Sequence, residues 1–94
     1  MLIRVVRMEF DPKKVNDFLE LFEVVKGKII SSEGCVHLEL CKDAKLDNVY
    51  YTFSKWESES DLNNYRHSDF FDDTWTKTKA LFGGKPLAYS LITG

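Results

Sequence analysis

The stretch from Tyr50 to Ser58 runs from strand-forming residues directly into a helix start, and it constrains the fold more than any other part of the chain. Aromatic and β-branched residues, which favour strands, fill most of positions 50–56. Ser58 is followed by Asp61 at the spacing of a helix capping box. A strand that ends at Trp56 is therefore predicted to lead immediately into a helix.

The N-terminal part predicts a strand followed by the main helix. Residues Leu2 to Phe10 mix β-branched and aromatic side chains with charged ones, as a strand with two different faces does. Asp11 is a favoured N-cap residue, and Pro12 is favoured at the first helical position. The predicted helix is amphipathic, with apolar residues every three or four positions at Val15, Phe18, Leu19, Phe22, Val25, Ile29 and Ile30. Gly34 is a natural stop after this helix.

A hairpin of two strands is predicted next. Residues Cys35 to Lys42 alternate with period two, which places a more polar set on one face, namely Cys35, His37, Glu39 and Cys41. Turn residues fill positions 43–48, and Val49 to Trp56 forms the second strand. We expect Cys35 and Cys41 to lie on one face, too far apart for a disulfide, with both thiols reduced.

The C-terminal part predicts two helices and a last strand. A short helix carries Leu62 and Tyr65, and Ser68 has the position of an N-cap for the next helix. Gly83-Gly84 ends that helix, and residues Leu87 to Thr93 alternate as a strand. The order βαββαβ predicts one α+β domain over residues 1–94. Its fold is a ferredoxin-like sandwich, with helices on one face of an antiparallel four-stranded sheet.

The other face of this sheet has no predicted cover. We expect it to carry Tyr50, Trp56, Cys35 and His37, and such a surface is unfavourable in water. The chain is 44% hydrophobic and 14% aromatic, which leaves apolar surface for a partner. These observations predict a homodimer.

Composition and charge exclude several classes of protein. The net charge is -2 and both signs are scattered along the chain, so we expect no nucleic-acid partner. No apolar run approaches the length of a membrane span, and the N-terminus lacks the pattern of a secretion signal, so we expect no membrane association and a cytoplasmic location. The two cysteines and two histidines lack zinc-site spacing, and we expect no metal site.

The residues described above resemble the antibiotic biosynthesis monooxygenase family of the dimeric α/β-barrel superfamily. The resemblance covers nearly the whole chain and rests on Asp11-Pro12-Lys13, Glu33-Gly34-Cys35, Trp56-Glu57-Ser58, Leu62, Tyr65 and Ser68. It implies two copies packed sheet against sheet as a dimeric α/β barrel, with a pocket between the sheet and the helices of each copy. Members include cofactor-independent oxygenases of small aromatic or polyketide substrates, quinol oxygenases, haem-degrading enzymes and proteins without a known reaction.

Two departures from the family pattern affect the expected chemistry. Counting Trp56 as one, the family often has histidine at the tenth position, where this chain has Tyr65, with His67 two residues further on. The haem-degrading branch carries Asn, Trp and His at three positions that match Val6, Tyr65 and Trp75 here. Because all three differ, the resemblance disfavours haem degradation.

Two histidines are candidate catalytic residues. His37, in mid-strand, has an imidazole that could accept a proton from a phenol or an activated carbon near neutral pH. Its alternative role is that of a hydrogen-bonded residue at a dimer interface. His67 lies at a helix junction, where a helix-terminal histidine with no catalytic role is the alternative.

Four aromatic residues are candidate substrate-binding residues. Tyr50, Trp56, Tyr65 and Trp75 could form a wall that stacks on a flat molecule, or they could belong to the core. Arginine side chains at positions 4, 7 and 66 could hold an anionic group of the substrate, or they could be solvated surface residues.

The chain lacks the sequence marks of the common cofactor enzymes. It has no glycine-rich phosphate loop, no G-x-S-x-G nucleophile elbow and no flavin or nicotinamide fingerprint, so we expect no cofactor. The first hypothesis is therefore a cofactor-independent monooxygenase or related oxidoreductase of a small aromatic or quinol-like substrate. The alternatives are a non-catalytic homodimeric binding protein for a small hydrophobic metabolite, and a haem-binding protein.

Overall fold

A four-stranded antiparallel sheet with helices against one face forms this chain, and the computed structural model describes residues 1–93. The strands are β1 (Leu2–Glu9), β2 (Cys35–Lys42), β3 (Val49–Trp56) and β4 (Leu87–Ile92), in the spatial order β2-β3-β1-β4. The helices are α1 (Val15–Ile30), α2 (Glu59–Arg66) and α3 (Asp69–Lys79). The predicted ferredoxin-like α+β fold is confirmed. None of the helices in this part of the chain is long and apolar enough to cross a membrane.

Side-chain caps start the helices where the sequence predicts them. The Asp11 carboxylate accepts a hydrogen bond from the Lys13 amide at 3.0 Å and begins a 3₁₀ turn, Pro12–Lys14, that leads into α1. The Ser58 hydroxyl accepts from the Asp61 amide at 3.1 Å and caps α2. Ser68 caps α3 in the same way, through the Phe71 amide at 3.1 Å. These contacts satisfy amides that have no partner within a helix.

Two of the predicted helix ends differ from the structure. Helix α1 ends at Ile30, before Gly34, and Gly34 lies in the turn that enters β2 with a φ of 81°. Helix α3 ends at Lys79, so Gly83-Gly84 lies beyond it. Phe10 and Phe82 form an isolated bridge between these segments and hold the end of α3 against the end of β1.

The covered face of the sheet carries the core. In the register of β1 with β3, Met8 pairs with Tyr50 and Leu2 pairs with Trp56, so these side chains point towards the helices. Met8 and Tyr50 pack with Phe10 and Phe18 in one buried cluster. Leu2 and Trp56 pack with Leu62 of α2 in a second cluster.

The predicted content of the uncovered face is therefore wrong for three residues. Tyr50 and Trp56 are 8% and 1% exposed, and both lie under the helices. A β-bulge between Cys35 and His37 makes Cys35 pair with Trp56, which turns its thiol to the covered face as well. Only His37 of the four residues lies on the uncovered face. The two cysteines, both free thiols, lie on opposite faces of the sheet rather than on one.

The uncovered face is nevertheless apolar over much of its area. The residues that point away from the helices include Ile3, Val5, Phe53, Leu87, Tyr89 and Leu91. Leu87, Tyr89 and Leu91 on β4 are about half exposed, at 47%, 52% and 53%. We call this surface the open face.

Candidate functional site

A cavity of about 310 Å³ lies between the covered face of the sheet and the three helices. Its volume is at the lower end of the range for small-molecule sites. Every helix and every strand contributes to the lining, which is mostly apolar, with Phe22 and Val25 from α1 and Leu38 from β2 as examples. The cavity is therefore the place in this fold where a small hydrophobic molecule fits.

Four aromatic side chains follow one another along this cavity, and we call them the aromatic row: Trp56, Tyr65, Phe71 and Trp75. The rings of Trp56 and Tyr65 stack with their centroids 5.1 Å apart. Tyr65 meets Phe71 edge to face at 5.2 Å, and Phe71 stacks on Trp75 at 5.9 Å with an interplanar angle of 10°. A flat molecule in the cavity would meet stacked and edge-on rings, which suits aromatic ligands.

Local sequence signals place the members of the row. Trp56 is the last residue of β3, and the Ser58 cap fixes where α2 begins. Phe71 and Trp75 are four residues apart on α3 and so share one side of that helix. The short turn between α2 and α3 brings the two helices together beside the end of β3.

The Tyr65 hydroxyl is the main polar group of the row. The pKa of Tyr65 is raised to about 12, mainly by burial and to a smaller extent by the nearby Cys35 thiol. The phenol is therefore neutral near pH 7 and has a proton with which it could donate a hydrogen bond to a ligand. The indole Nε1 of Trp56, by contrast, already donates to the Ser54 hydroxyl at 3.0 Å.

Two arginines line the cavity as well. Arg4 on β1 is half-buried on the covered face, and Arg66 is the last residue of α2. Arg7 points to the open face instead, where its guanidinium lies 3.9 Å from the carboxylate of Glu9. The three arginines of the sequence thus separate into a pair at the cavity and a single residue on the other side of the sheet.

Neither candidate catalytic histidine lines this cavity. His37 lies on the open face, with its Nε2 3.1 Å from Glu39 Oε1 and its side chain 45% exposed. His67 is the C-cap residue of α2, and its Nδ1 lies 2.7 Å from the carbonyl oxygen of Asn63. The sheet stands between His37 and the aromatic row.

Three of the four predicted substrate-binding residues come together at the cavity. Trp56, Tyr65 and Trp75 line it, whereas Tyr50 packs against Phe10 and Phe18 in the core. Whether any of them binds a substrate stays a prediction.

The comparison with known proteins gives the family. The family profile described as antibiotic biosynthesis monooxygenase matches residues 1–77. The chain belongs to this family. The match contains β1, β2, β3, α1 and α2 and most of α3, and therefore nearly all of the cavity lining.

Solved structures of other proteins share the fold closely. A crystal structure of an antibiotic biosynthesis monooxygenase has a TM-score of 0.92 at 15% identity, covering 100% of this chain and 99% of its own. A conserved protein from Methanosarcina mazei has a TM-score of 0.89 at 20% identity, covering 97% of this chain and 91% of its own. At these identities the likeness shows the fold.

One curated relative carries a different name. A protein of Halobacterium salinarum, named as a candidate heme-binding protein, is 29% identical over 66 residues, which is 70% of this chain. The match spans only 13% of that relative's length.

The cavity lining offers few side chains that could hold haem iron. Val6, Tyr65 and Trp75, which the resemblance matches to the three key positions of the haem-degrading branch, line this one cavity, and so does the thioether of Met8. Yet no histidine or cysteine is among the residues that line it within the described part of the chain. The raised pKa of Tyr65 also disfavours the phenolate form that would bind iron.

Sequence reasoning missed two features of this monooxygenase-family site. Phe71 completes the aromatic row, but its four-residue spacing to Trp75 is equally that of a core stripe, so the sequence does not distinguish the two roles. The pairing of Arg4 with Arg66 depends on how α2 packs over β1, and no local signal reveals it.

Proposed function

We propose that this chain is a cofactor-independent monooxygenase, or a related oxidoreductase, that acts on a small aromatic or quinol-like substrate. The observation that carries the proposal is the aromatic row along a 310 Å³ cavity, with the neutral Tyr65 phenol among the rings. Membership of the monooxygenase family supports it. A stacking surface with few polar groups favours flat substrates over flexible or strongly polar ones.

The proposed reaction draws its electrons from the substrate. An electron-rich carbon, such as the CH₂ group of an anthrone, loses a proton, and the resulting anion passes electrons to O₂. One oxygen atom becomes the new carbonyl of the product, and the other leaves as water with the two hydrogens of the CH₂ group. A quinol follows the shorter course, in which two electrons and two protons pass to O₂ to give a quinone and hydrogen peroxide.

The role of the protein in this reaction is to orient the substrate and stabilise its anion. Tyr65 would donate a hydrogen bond to the oxygen on which negative charge develops. No Asp, Glu or His is among the residues that line the cavity within residues 1–93, so the proposal assigns proton removal to water rather than to a side-chain base. An environment that stabilises the anion makes that step easier.

Oxygen uptake tests this proposal. With a panel of anthrones and hydroquinones, we expect the wild-type chain to consume O₂. We expect Tyr65→Phe to lower kcat/KM by about tenfold or more, because the variant loses a hydrogen bond to a charged group. Tyr51→Phe is the matched control, because the Tyr51 hydroxyl donates to Asp43 at 2.9 Å, away from the cavity.

Two results would count against it. The first is the absence of O₂ uptake with every compound, and the second is an equal rate for Tyr65→Phe and Tyr51→Phe. A loss of turnover in His37→Ala would instead restore the sequence-based assignment of His37.

A homodimer belongs to the same proposal. The open face presents apolar side chains of β4, including Leu87, Tyr89 and Leu91, that no element of this chain covers. A second copy that packs its own open face on this surface would bury both. The cavity of each copy lies on the side of its sheet that faces away from the open face, so the dimer would leave both cavities intact.

The alternative is a non-catalytic binding protein for a small hydrophobic metabolite. Among residues 1–93, no carboxylate or imidazole side chain lines the cavity, and this favours the alternative over the enzyme. Native mass spectrometry of the purified protein distinguishes them, because a bound molecule whose mass stays unchanged in the presence of O₂ is expected only for the binding protein.

A further inference from the structure

Arg4 brings a positive charge to the covered face of the sheet. It is half-buried on the covered face of β1, in a cavity lining that is mostly apolar. Its Nη1 donates to the Ser90 hydroxyl on β4 at 2.9 Å. A guanidinium has five N–H donors, so within residues 1–93 this one neutral acceptor leaves most of its donors, and all of its charge, to solvent or to a ligand.

A second positive charge lies at the same cavity. Arg66 follows Tyr65 directly at the C-terminal end of α2, and its side chain also lines the cavity. The pKa of Arg4 is lowered from its ordinary value, mainly by burial and to a smaller extent by the charge of Arg66. Both guanidinium groups thus belong to the lining of one cavity.

No carboxylate of the described chain offsets these charges. Neither arginine forms a salt bridge with an acidic side chain within residues 1–93, and no Asp or Glu is among the residues that line the cavity. Arg7, three residues along the same strand, does have Glu9 beside it. Two cations that line one cavity, Arg4 half-buried and Arg66 exposed, and that form no salt bridge within residues 1–93 are a favourable place for an anionic group of a ligand.

The position of the pair relative to the aromatic row restricts the shape of that ligand. Arg66 is adjacent in sequence to Tyr65, whose ring stacks on Trp56, and Arg4 pairs across the sheet with Ser54, the hydrogen-bond acceptor of the Trp56 indole. The arginine pair and the row thus meet at the Trp56 end of the cavity. One molecule can stack on the rings and place an acidic substituent between the two guanidinium groups.

We propose that Arg4 and Arg66 form an anion-binding subsite, and that the cavity takes flat aromatic molecules that carry a carboxylate. This inference names the substrate class of the proposed function and rests on that function only in using the same cavity. A carboxylate between the arginines fixes which end of the aromatic molecule faces the Tyr65 hydroxyl.

Isothermal titration of the full chain with two matched probes tests the subsite. 1-Naphthol and 1-hydroxy-2-naphthoate share a ring system and differ by the carboxylate. We expect the wild type to bind the naphthoate at least about tenfold more tightly, since a charge-assisted contact is stronger than a neutral one. Arg66→Gln and Arg4→Gln are each expected to remove about tenfold of that preference and to leave 1-naphthol affinity within about twofold.

Two further variants make the result specific. Lys77→Gln removes one positive charge on α3, where the lysine pairs with Asp73 at 3.0 Å, and is expected to retain the full preference. Arg4→Lys keeps a positive charge on the sheet and is expected to retain part of the preference for the naphthoate. If Arg4→Gln is unstable, this variant separates the loss of charge from the loss of folding.

Equal affinity of the wild type for the two probes would overturn the subsite, and so would a preference that survives both glutamine variants. The binding measurement needs no turnover. A preference for the naphthoate without oxygen uptake would therefore contradict the oxygenase alone, whereas oxygen uptake without the preference would contradict the subsite alone.

Discussion

Single side chains set the character of the cavity, and Tyr65 shows how. Its ring stacks on Trp56 with centroids 5.1 Å apart and meets Phe71 edge to face. The sequence places Tyr65 on a helix near Trp56, and the resemblance to the family places it at a site position, so its location could be predicted. Its protonation could not, because burial against the sheet raises the pKa and is a property of the packed structure.

The raised pKa of Tyr65 predicts how stability depends on pH. The folded chain holds the phenolic proton up to about pH 12, whereas the unfolded chain releases it at the lower, ordinary value. Stability is therefore unaffected by this group at neutral pH and falls as the pH rises through the interval between the two values. A shift of about two units corresponds to a loss of roughly 2–3 kcal/mol at most.

Denaturant unfolding at pH 8 and at pH 11 measures this effect. These pH values lie about two units below and about one unit above the ordinary pKa of tyrosine. We expect the wild type to lose more stability between these pH values than Tyr65→Phe does, because only the wild type has the Tyr65 phenol. An identical loss in Tyr65→Phe and the wild type would contradict the assignment.

At the scale of elements, strand and helix positions were predictable and the faces of β2 were not. The bounds of β2 and β3 are those that alternation and turn residues predict. A bulge between Cys35 and His37 changes which side chains share a face, and period two in a sequence does not reveal one extra residue. The error for Cys35 follows from this bulge, and the errors for Tyr50 and Trp56 follow from assigning the wrong face of β3 to the helices.

The turn between α1 and β2 depends on a glycine. Gly34 has a φ of 81°, and a Cβ atom there would collide with the Asp61 carboxylate of α2. We expect Gly34→Ala to lower the free energy of unfolding by at least about 1–2 kcal/mol, from backbone strain and this collision together.

Urea unfolding with a second alanine variant makes the comparison direct. Gly27 lies inside α1 with open space around its Cα, so Gly27→Ala is expected to raise stability by about 0.5–1 kcal/mol. If Gly34→Ala is instead as stable as the wild type, the turn must relax to accommodate the added Cβ atom.

For the whole molecule, the two faces of the sheet differ. The covered face holds the cavity, and the open face presents the apolar residues that the proposed second copy would cover. The sequence predicted an uncovered apolar face from the topology alone. It could not say which residues form it, because that depends on the register of β1 between β3 and β4.

The proposed dimer is tested by a charge on the open face. Light scattering at micromolar concentration is expected to give about twice the 10.9 kDa of one chain for the wild type. Leu91→Glu, at a position 53% exposed, is expected to give a monomer, because two buried carboxylates would face each other across the sheets. Val24→Glu, 81% exposed on α1, should leave the dimer intact. A wild-type mass near that of one chain would contradict the dimer.

The chain has two tryptophans, and both of them line the cavity. The intrinsic fluorescence of this protein therefore originates at one place, with Trp56 buried at the end of β3 and Trp75 on α3. A molecule that enters the cavity will quench or shift that emission without any attached dye. Tryptophan fluorescence can therefore be used to screen a collection of metabolites for binding to the cavity.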